Sequence, residues 1–182
     1  YVVGNKVSKS LSPTIFNYWF KKYKINAKYK YIEISDRNFD KEIKKILNDK
    51  TVVGVNITIP FKKKIIKHVD ILDKHSSEIG AVNFVKTGAI FKGYNSDWIG
   101  YSKSLPKNIR LKNKKVVLFG YGGAAHSVHY LLKKRGVKNL LIINRSRKKL
   151  LFERNKYTIT KKNIESYLKN SDLIINTTPV NP

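Results

Sequence analysis

Residues 51–64 read TVVGVNITIPFKKK and predict a strand around which the neighbouring elements are arranged. Its first nine residues are mostly β-branched, which is typical of an internal strand that is buried on both faces. Pro60 ends the strand, because proline has no N–H to donate to a neighbouring strand. The turn that follows brings Lys62 just past the C-terminal end of the strand, where open α/β sheets bind their ligands.

Two polar side chains, Asn56 and Thr58, lie at alternate positions of this predicted strand and therefore share one face. A buried amide or hydroxyl group needs a hydrogen-bond partner, which is either a neighbouring strand or a ligand. The same residues also fit a plainer interpretation, in which a core strand is followed by a solvated lysine cluster.

The segments upstream predict a parallel α/β layer. Strands are expected at residues 1–4 and 28–34, and an amphipathic helix at 38–47, so that the order becomes βαβαβ. A polar loop after the first strand leads to Ser12, which is expected as a helix N-cap with Pro13 in the first helical position. An apolar stripe at helical spacing follows, and we expect it to face the core: Ile15, Phe16, Trp19, Phe20 and Tyr23.

Downstream of the central strand, residues 65–72 are expected to be helical and residues 74–80 to form a polar connection. Two short apolar segments around the turn Thr87–Gly88 then indicate a hairpin-like pair of strands. Asp97 opens a short helix after the second of them, and a capping role alone would account for it.

Residues 105–113 contain a proline, several lysines and few apolar side chains, which indicates a linker. We place a domain boundary there, between an N-terminal domain of residues 1–104 and a C-terminal domain of residues 105–182. The expected fold class is α/β, with a mainly parallel sheet in the first domain and a Rossmann-like second domain.

The second domain carries the most specific local motif. Residues 120–125, GYGGAA, have the form G-x-G-x-x-A between a predicted strand and a predicted apolar helix, which is the context of a dinucleotide-binding loop. Gly120 permits the tight turn, Gly122 lets the backbone approach a pyrophosphate, and Ala125 allows close helix packing. Gly123 and Ala124 lie at the helix N-terminus, which supplies N–H groups to the ligand.

The end of the next predicted strand, residues 139–143, indicates which dinucleotide binds. An NAD site usually offers Asp or Glu to the ribose 2′-hydroxyl, and residues 140–149 contain neither. They contain instead a polar and basic cluster that suits a 2′-phosphate, so NADP is favoured: Asn144, Arg145, Arg147, Lys148 and Lys149. A last strand, residues 171–176, extends the sheet and leads to Thr177 and Thr178 at its ligand end.

Two histidines, His126 and His129, lie three residues apart on the predicted helix after the glycine loop. The sequence offers no evident third ligand beside them, so we expect this spacing to be incidental and predict no metal site.

Composition limits the classes of protein that fit. The 182 residues contain no cysteine, which excludes disulfides, cysteine metal sites and a thiol nucleophile and fits a reducing, cytoplasmic location. No apolar run approaches the roughly 20 residues of a membrane helix, so no membrane partner is expected. The chain has no methionine, begins as if within a strand and stops after another, and we expect it to be trimmed at both ends.

The formal charge of +26 invites a nucleic-acid interpretation, because clustered lysines and arginines release counterions when they bind phosphates. Only six of the 38 basic residues are arginine, however, and the lysines are spread along the whole chain. We interpret the charge as a compositional bias with solvated lysines and predict no nucleic-acid partner. A non-catalytic nucleotide or nucleic-acid binder stays the alternative from a different class.

Taken in order, the motifs resemble the shikimate dehydrogenase family across both predicted domains. The segments that carry the resemblance are SLSP at 10–13, NITIPFK at 56–62, GAVN at 80–83, NSD at 95–97, GYGGAA at 120–125, NRS at 144–146 and NTTP at 176–179. The chain departs from the family pattern at Lys9, where histidine is common, and at Asn181, where glycine is usual. The resemblance also implies a further C-terminal segment that completes the cofactor sheet, contributes a glutamine and returns a helix to the first domain.

The resemblance implies reversible reduction of 3-dehydroshikimate to shikimate with NADPH. It implies that Lys62 and Asp97 are catalytic. The substrate-binding residues that it implies are Ser10, Ser12, Thr58, Lys62, Asn83 and Asp97. The cofactor-binding residues are Gly120, Gly122, Gly123, Ala124, Ala125, Asn144, Arg145, Ser146, Lys149, Thr177 and Thr178. A quinate/shikimate dehydrogenase is the alternative within the same class of enzyme. A homodimer is a further expectation.

We predict that the substitution Arg145→Glu weakens NADP(H) binding far more than NAD(H) binding, because only NADP(H) carries the 2′-phosphate that the arginine would pair with. Titration of the variant with each dinucleotide measures the two losses. Equal losses would contradict the assignment of NADP.

Overall fold

The computed structural model describes residues 1–144, 157–158 and 164–178. The chain divides into two compact units, Tyr1–Asn95 and Ser96–Pro182. Each unit has its own sheet and its own cluster of buried residues, which confirms the predicted α/β fold class with two α/β domains.

The first unit alternates strands and helices in the order that the sequence predicts for residues 1–57. Its elements are β1 (Val2–Gly4), α1 (Ser12–Lys22), β2 (Tyr31–Glu33), α2 (Phe39–Asn48), β3 (Gly54–Ile57), a 3-10 helix (Lys64–His68), β4 (Ile71–Leu72), α3 (Lys74–Ile79), β5 (Phe84–Lys86) and β6 (Lys92–Tyr94).

The sheet of the first unit has the strand order β2-β1-β3-β5-β6-β4. Strand β3 is internal, as predicted: it pairs in parallel with β1 and antiparallel with β5. The β1–β2 and β4–β6 pairs are also parallel, and only the pairs that involve β5 are antiparallel. The sheet is therefore mainly parallel, and the carboxyl ends of β1 and β3 lie side by side at one edge.

The core of the first unit lies between α2 and one face of the sheet. Helix α2 buries Phe39, Ile43 and Leu47, which lie four residues apart and so occupy one side of the helix. Phe39 stacks on Phe61, with ring centroids 4.1 Å apart, and both side chains are fully buried. Each such side chain contributes roughly 1.5–3 kcal/mol by leaving water, so the residue before Lys62 is firmly held.

The prediction that the central strand is buried on both faces was wrong. Burial alternates along β3: Val55 and Ile57 face the core, whereas Asn56 and Thr58 on the other face are half-buried. Val53, just before the strand, is 79% exposed. The polar side chains on the second face prevent a second apolar layer there. The neighbouring strand β1 is the one that is buried on both faces.

The apolar stripe of α1 was predicted to face the core, and the structure corrects this. In the part of the chain that the structure describes, no residue of α1 is fully buried. Phe16 and Phe20 pack against a small buried cluster, but Ile15, Trp19 and Tyr23 are 43%, 44% and 64% exposed. Helical spacing identifies the apolar side of a helix, but it does not reveal how much of that side a neighbouring element covers.

Two further assignments in the first unit need correction. Residues 65–72, predicted as a helix, form the end of the 3-10 helix and then the short strand β4, which pairs with β6 at the edge of the sheet. Residues 74–80, predicted as a polar connection, contain helix α3. Asp73 caps this helix by accepting a hydrogen bond from the Ser76 N–H at 2.9 Å, and Gly80 ends it in the left-handed conformation.

The second unit begins with helix α4 and continues as a parallel α/β layer. Its elements are α4 (Asp97–Ser104), β7 (Lys115–Phe119), α5 (Gly123–Lys134), β8 (Asn139–Ile143), β9 (Tyr157–Thr158), α6 (Ile164–Lys169) and β10 (Leu173–Asn176). The sheet order is β10-β7-β8-β9, and all its pairs are parallel. The unit starts ahead of the boundary that we placed after residue 104, because α4 packs on α5 through Trp98 and Tyr130.

Within the residues that the structure describes, no helix has both the length and the apolar composition needed to cross a membrane.

Candidate functional site

Ser10 and Ser12 lie where the loop after β1 enters α1. The helix begins at Ser12 with Leu11 in the N-cap position, so the predicted N-cap was wrong by one residue. The Ser10 hydroxyl accepts a hydrogen bond from the Ser12 N–H at 3.2 Å and so satisfies one of the donors at the helix start. Both serines are half-buried at the N-terminus of an eleven-residue helix, a position that favours a bound anion.

The conformation of this serine loop depends on Glu33, a residue that sequence reasoning missed. One carboxylate oxygen of Glu33 accepts hydrogen bonds from the N–H groups of Val7 and Ser8, both at 2.8 Å. The bonds from Ser8 and Val7 lower the pKa of the Glu33 carboxyl group. The Val7 carbonyl in turn accepts from the Ser10 N–H at 2.9 Å. Glu33 is the only acidic residue of residues 28–34, and that isolation was the available signal.

Lys62 lies beyond the C-terminal end of β3, as predicted, and its backbone is held on two sides. The preceding Phe61 is fully buried, and the Lys62 carbonyl accepts a hydrogen bond from the Val82 N–H at 2.7 Å. The lysine itself is half-buried, whereas Lys63 and Lys64 after it are exposed. The solvated lysine cluster of the plainer interpretation therefore begins one residue after Lys62.

Asn83 is buried beside the end of β3. Its carbonyl accepts from the Ile57 N–H at 2.8 Å and from the Asn56 side chain at 3.4 Å. The other end of the Asn56 amide accepts from the Tyr29 hydroxyl at 2.7 Å. The partners of Asn56 are thus neighbouring protein groups. The Tyr29 hydroxyl is protonated at neutral pH, and burial raises its pKa further, to about 12.

Thr58 lies one residue beyond β3, against the end of β1. Its N–H donates to the Val3 carbonyl at 2.9 Å. A Cβ atom at Gly4 would lie only 2.6 Å from the Thr58 methyl group, so the glycine allows this close approach. Thr58 is therefore brought beside the start of the serine loop.

Asp97 is the first residue of α4 and is half-buried, which confirms that it opens a short helix. The helix is attached to α5 by the edge-on packing of Trp98 against Tyr130, with ring centroids 5.5 Å apart, and by a hydrogen bond from Arg135 to Ser102 at 3.1 Å. Asp97 therefore belongs to the second unit and Lys62 to the first. Their pairing stays a prediction.

The glycine loop in the second unit has the features that its sequence predicts. Gly120 adopts φ +85°, and a Cβ there would lie 3.0 Å from the side chains of Thr177 and Thr178. Gly122 is exposed and extended, and within the described residues no heavy atom lies within 4 Å of where its Cβ would be. Ala125 is fully buried under the loop. The loop backbone is thus accessible at Gly122 and closely packed on both sides of it.

Gly123 and Ala124 are half-buried and form the first turn of the twelve-residue helix α5, so their N–H groups point away from the helix body beside Gly122. Together these residues offer backbone donors and a helix N-terminus, which is the arrangement that binds a pyrophosphate.

Thr177 and Thr178 follow β10 and lie beside the glycine loop. The Thr177 hydroxyl donates to the Phe119 carbonyl at 2.6 Å, and the Thr178 hydroxyl donates to the Asn176 side chain at 2.7 Å. Asn144, half-buried, directly follows β8, whose last carbonyl accepts from the Gly120 N–H at 2.8 Å. The structure thus brings these three residues to the edge of the sheet that carries the glycine loop.

Three of the proposed cofactor-binding residues, Arg145, Ser146 and Lys149, lie outside the described residues.

The histidines on α5 are both buried. His129 lies 2.7 Å from the hydroxyl of Tyr121, the second residue of the glycine loop. Burial, with smaller contributions from His126 and Lys133, lowers the pKa of His129 to about 4, so the ring is neutral at neutral pH. Among the described residues, no group of three or more His, Cys, Asp or Glu side chains is arranged to hold a metal ion.

Comparison with known proteins identifies both units. Residues 2–85 match the family model of the shikimate dehydrogenase substrate binding domain, and residues 103–181 match that of shikimate/quinate 5-dehydrogenase. A shikimate dehydrogenase (NADP(+)) from Methanococcus vannielii is 38% identical over 98% of this chain. The chain spans 67% of that relative's length and 54% of the length of other curated shikimate dehydrogenases that it matches.

Solved structures are similar to nearly the whole of the chain. Shikimate dehydrogenase 1 from Peptoclostridium difficile has a TM-score of 0.87 and 32% identity, and the match covers 98% of this chain and 66% of that one. Shikimate 5-dehydrogenase from Thermus thermophilus, solved in complex with NADP(H) and shikimate, has a TM-score of 0.79 and 26% identity, over 97% and 67% of the two chains.

We predict that Gly122→Ala leaves the fold intact but weakens NADP(H) binding on the order of tenfold or more, because the added methyl group projects into the space that a pyrophosphate would occupy. Gly120→Ala is the contrasting variant, in which the loss of stability should be the larger effect. There the positive φ and the contacts at 3.0 Å should cost roughly 1–2 kcal/mol of folding free energy. Urea unfolding and dinucleotide titration separate the two effects. Unchanged NADP(H) affinity in Gly122→Ala would contradict the predicted role of the loop.

We predict that the fold loses stability in acid because the buried His129 ring stays neutral at a pH where the same ring is protonated in the unfolded chain. Its pKa is about 4 when folded and 6.5 in its ordinary state, so the unfolded chain binds the proton first and stability falls as the pH drops through that window. The loss should reach roughly 3 kcal/mol below pH 4. Urea unfolding of the wild type and of His129→Asn across pH 7 to 4 isolates this contribution, since the carboxyl groups titrate in both. Parallel curves would contradict it.

Proposed function

The chain belongs to the shikimate dehydrogenase family, and from that premise we propose that the full-length protein catalyses the reversible, NADP-dependent reduction of 3-dehydroshikimate to shikimate. The observation that supports this most directly is the match of both units to one enzyme family, which includes a structure with NADP(H) and shikimate bound. The reaction would serve the chorismate branch of aromatic amino acid biosynthesis. A cytoplasmic location stays a prediction.

The second unit is suited to hold the dinucleotide. Gly122 leaves its backbone open to a close approach, and Gly123 and Ala124 add the N–H groups at the start of α5. Thr177 and Thr178 lie against the same loop. We propose Asn144, Arg145, Ser146 and Lys149 for the 2′-phosphate, which gives the preference for NADP. Bound in this position, the nicotinamide supplies the hydride.

The first unit is suited to hold a small anionic substrate. Ser10 and Ser12, at the N-terminus of α1, would hold a carboxylate, because a hydroxyl pair and a helix start both favour negative charge. At the C-terminal end of β3, Thr58 is bonded to β1 and Asn83 is bonded to Ile57. We assign both residues to the substrate hydroxyl groups. The substrate is therefore fixed by its charge at one end and by its ring hydroxyls at the other.

Lys62 is proposed as the acid and base of the reaction. A carbonyl group that accepts a hydride becomes an alkoxide, so an ammonium group within hydrogen-bond reach stabilises the transition state and delivers the proton. In the reverse direction the neutral amine takes the proton from the substrate hydroxyl. Asp97 is proposed to orient the ammonium group, to share the proton and to contact the substrate.

Assays of the full-length protein test the proposal. NADP-linked oxidation should be faster with shikimate than with quinate, and faster with NADP than with NAD. A preference for quinate would move the protein to the quinate/shikimate dehydrogenase alternative. No oxidation of either acid, together with salt-dependent binding of DNA or RNA, would favour the non-catalytic binder that the charge of +26 suggests. Light scattering tests the homodimer.

We predict that Lys62→Ala lowers kcat by roughly two to four orders of magnitude while the KM for shikimate changes little, because the lost interaction exists mainly in the transition state. Lys64→Ala is the matched control: it removes the same charge two residues away, where the ammonium pairs with Asp36 at the exposed surface and contributes under about 1 kcal/mol. A large rise in KM with kcat intact would reduce Lys62 to a binding residue.

A further inference from the structure

The side chain of Tyr121, the second residue of the glycine loop, points into the protein. It is 1% exposed and belongs to the main buried cluster of the second unit. The residue that follows it, Gly122, is exposed to solvent. The loop backbone is therefore accessible at Gly122, while the side chain of Tyr121 anchors the loop in the core.

The anchor ends in a buried hydrogen bond to the helix that follows the loop. The Tyr121 hydroxyl lies 2.7 Å from Nδ1 of His129, which is also 1% exposed. The Tyr121 ring also packs against His126, with centroids 4.8 Å apart, and against His129 at 5.7 Å. A buried hydrogen bond of this kind is costly to break, because water does not replace the lost partner.

This bond joins the second residue of the loop to the second turn of α5, eight residues later along the chain. The loop backbone and the helix N-terminus form the two halves of the proposed pyrophosphate site, so the bond fixes one half relative to the other. A site that is held in its binding conformation before the ligand arrives does not lose free energy to ordering on binding.

We propose that Tyr121 and His129 are positioning residues for the dinucleotide: their hydrogen bond holds the glycine loop in the conformation that receives the pyrophosphate. This deepens the dinucleotide-binding part of the proposed function and rests on that part alone. It also gives a role to the histidine pair on α5, which the reaction itself does not use. Both side chains are buried, so they act through the backbone of Gly120 to Ala124 and not by contact with the cofactor.

The test is the substitution Tyr121→Phe in the full-length protein. It removes only the hydroxyl oxygen and keeps the ring in the core. NADPH titration should show a Kd about five to ten times higher, which corresponds to the loss of one net hydrogen bond. The KM for shikimate should not change, because all of its proposed binding residues except Asp97 lie in the other unit and Asp97 lies outside the glycine loop. A general loss of stability would not produce this split between the two substrates at a temperature well below Tm.

A control and a rescue sharpen the result. Tyr130→Phe makes the same chemical change at another buried tyrosine of α5, outside the loop, and should leave the NADPH Kd unchanged. His129→Leu should reproduce the weak binding of Tyr121→Phe. His129→Asn should restore affinity, because its side-chain amide can take the place of Nδ1 near the tyrosine hydroxyl.

Hydrogen exchange gives a second measurement that does not depend on turnover. The amides of Gly122 to Ala124 should exchange faster in Tyr121→Phe than in the wild type, and Tyr130→Phe should match the wild type. The proposal is overturned if Tyr121→Phe binds NADPH within twofold of the wild type, or if its loop amides exchange at the wild-type rate. A wild type that binds NADPH but does not oxidise shikimate would overturn the proposed function and leave this inference standing.

Discussion

The pairing of β3 between β1 and β5 is the constraint on which the candidate site depends. The parallel pairing with β1 brings Thr58 beside the loop that begins after Gly4. The antiparallel pairing with β5 continues into hydrogen bonds that join Ile57 to Asn83 and Lys62 to Val82. Three separate segments of the first unit are therefore joined at the carboxyl end of one strand. A shift of this strand by one residue would turn its polar and apolar faces over and remove Thr58 from that edge.

The high positive charge of the chain should attract anions in general and does not by itself select one ligand. Several lysines on the surface are already paired with carboxylates, as Lys67 is with Asp40 and Lys114 with Asp172. Hydrogen bonds from Lys67 and His68 lower the pKa of Asp40 to about 2. Exposed pairs of this kind contribute little to stability and are screened by salt. The remaining charge should favour anionic ligands in general, and the selection among them falls to the residues of the two proposed binding sites.

Much of the fold could be predicted because local rules decide it. The β-branched run before Pro60 and the glycines at 120 and 122 specify their conformations through residues close in sequence. Contacts between residues far apart in the sequence could not be predicted from these local rules. The bond of Glu33 to the serine loop joins residues 25 positions apart, and that of Tyr29 to Asn56 joins residues 27 apart. Helix α1 shows the same limit, because its apolar spacing does not tell how little of its surface its neighbours cover.

The proposed chemistry requires the Lys62 ammonium group and the Asp97 carboxylate to act on one substrate. A crystal structure of the full-length protein with NADP+ and shikimate measures this directly. We expect Lys62 Nζ within about 3.2 Å of the reacting hydroxyl, with the Asp97 carboxylate in hydrogen-bond contact with the same ammonium group. Shikimate bound away from Lys62, or a Lys62 side chain turned away from both the substrate and Asp97, would contradict the proposed chemistry.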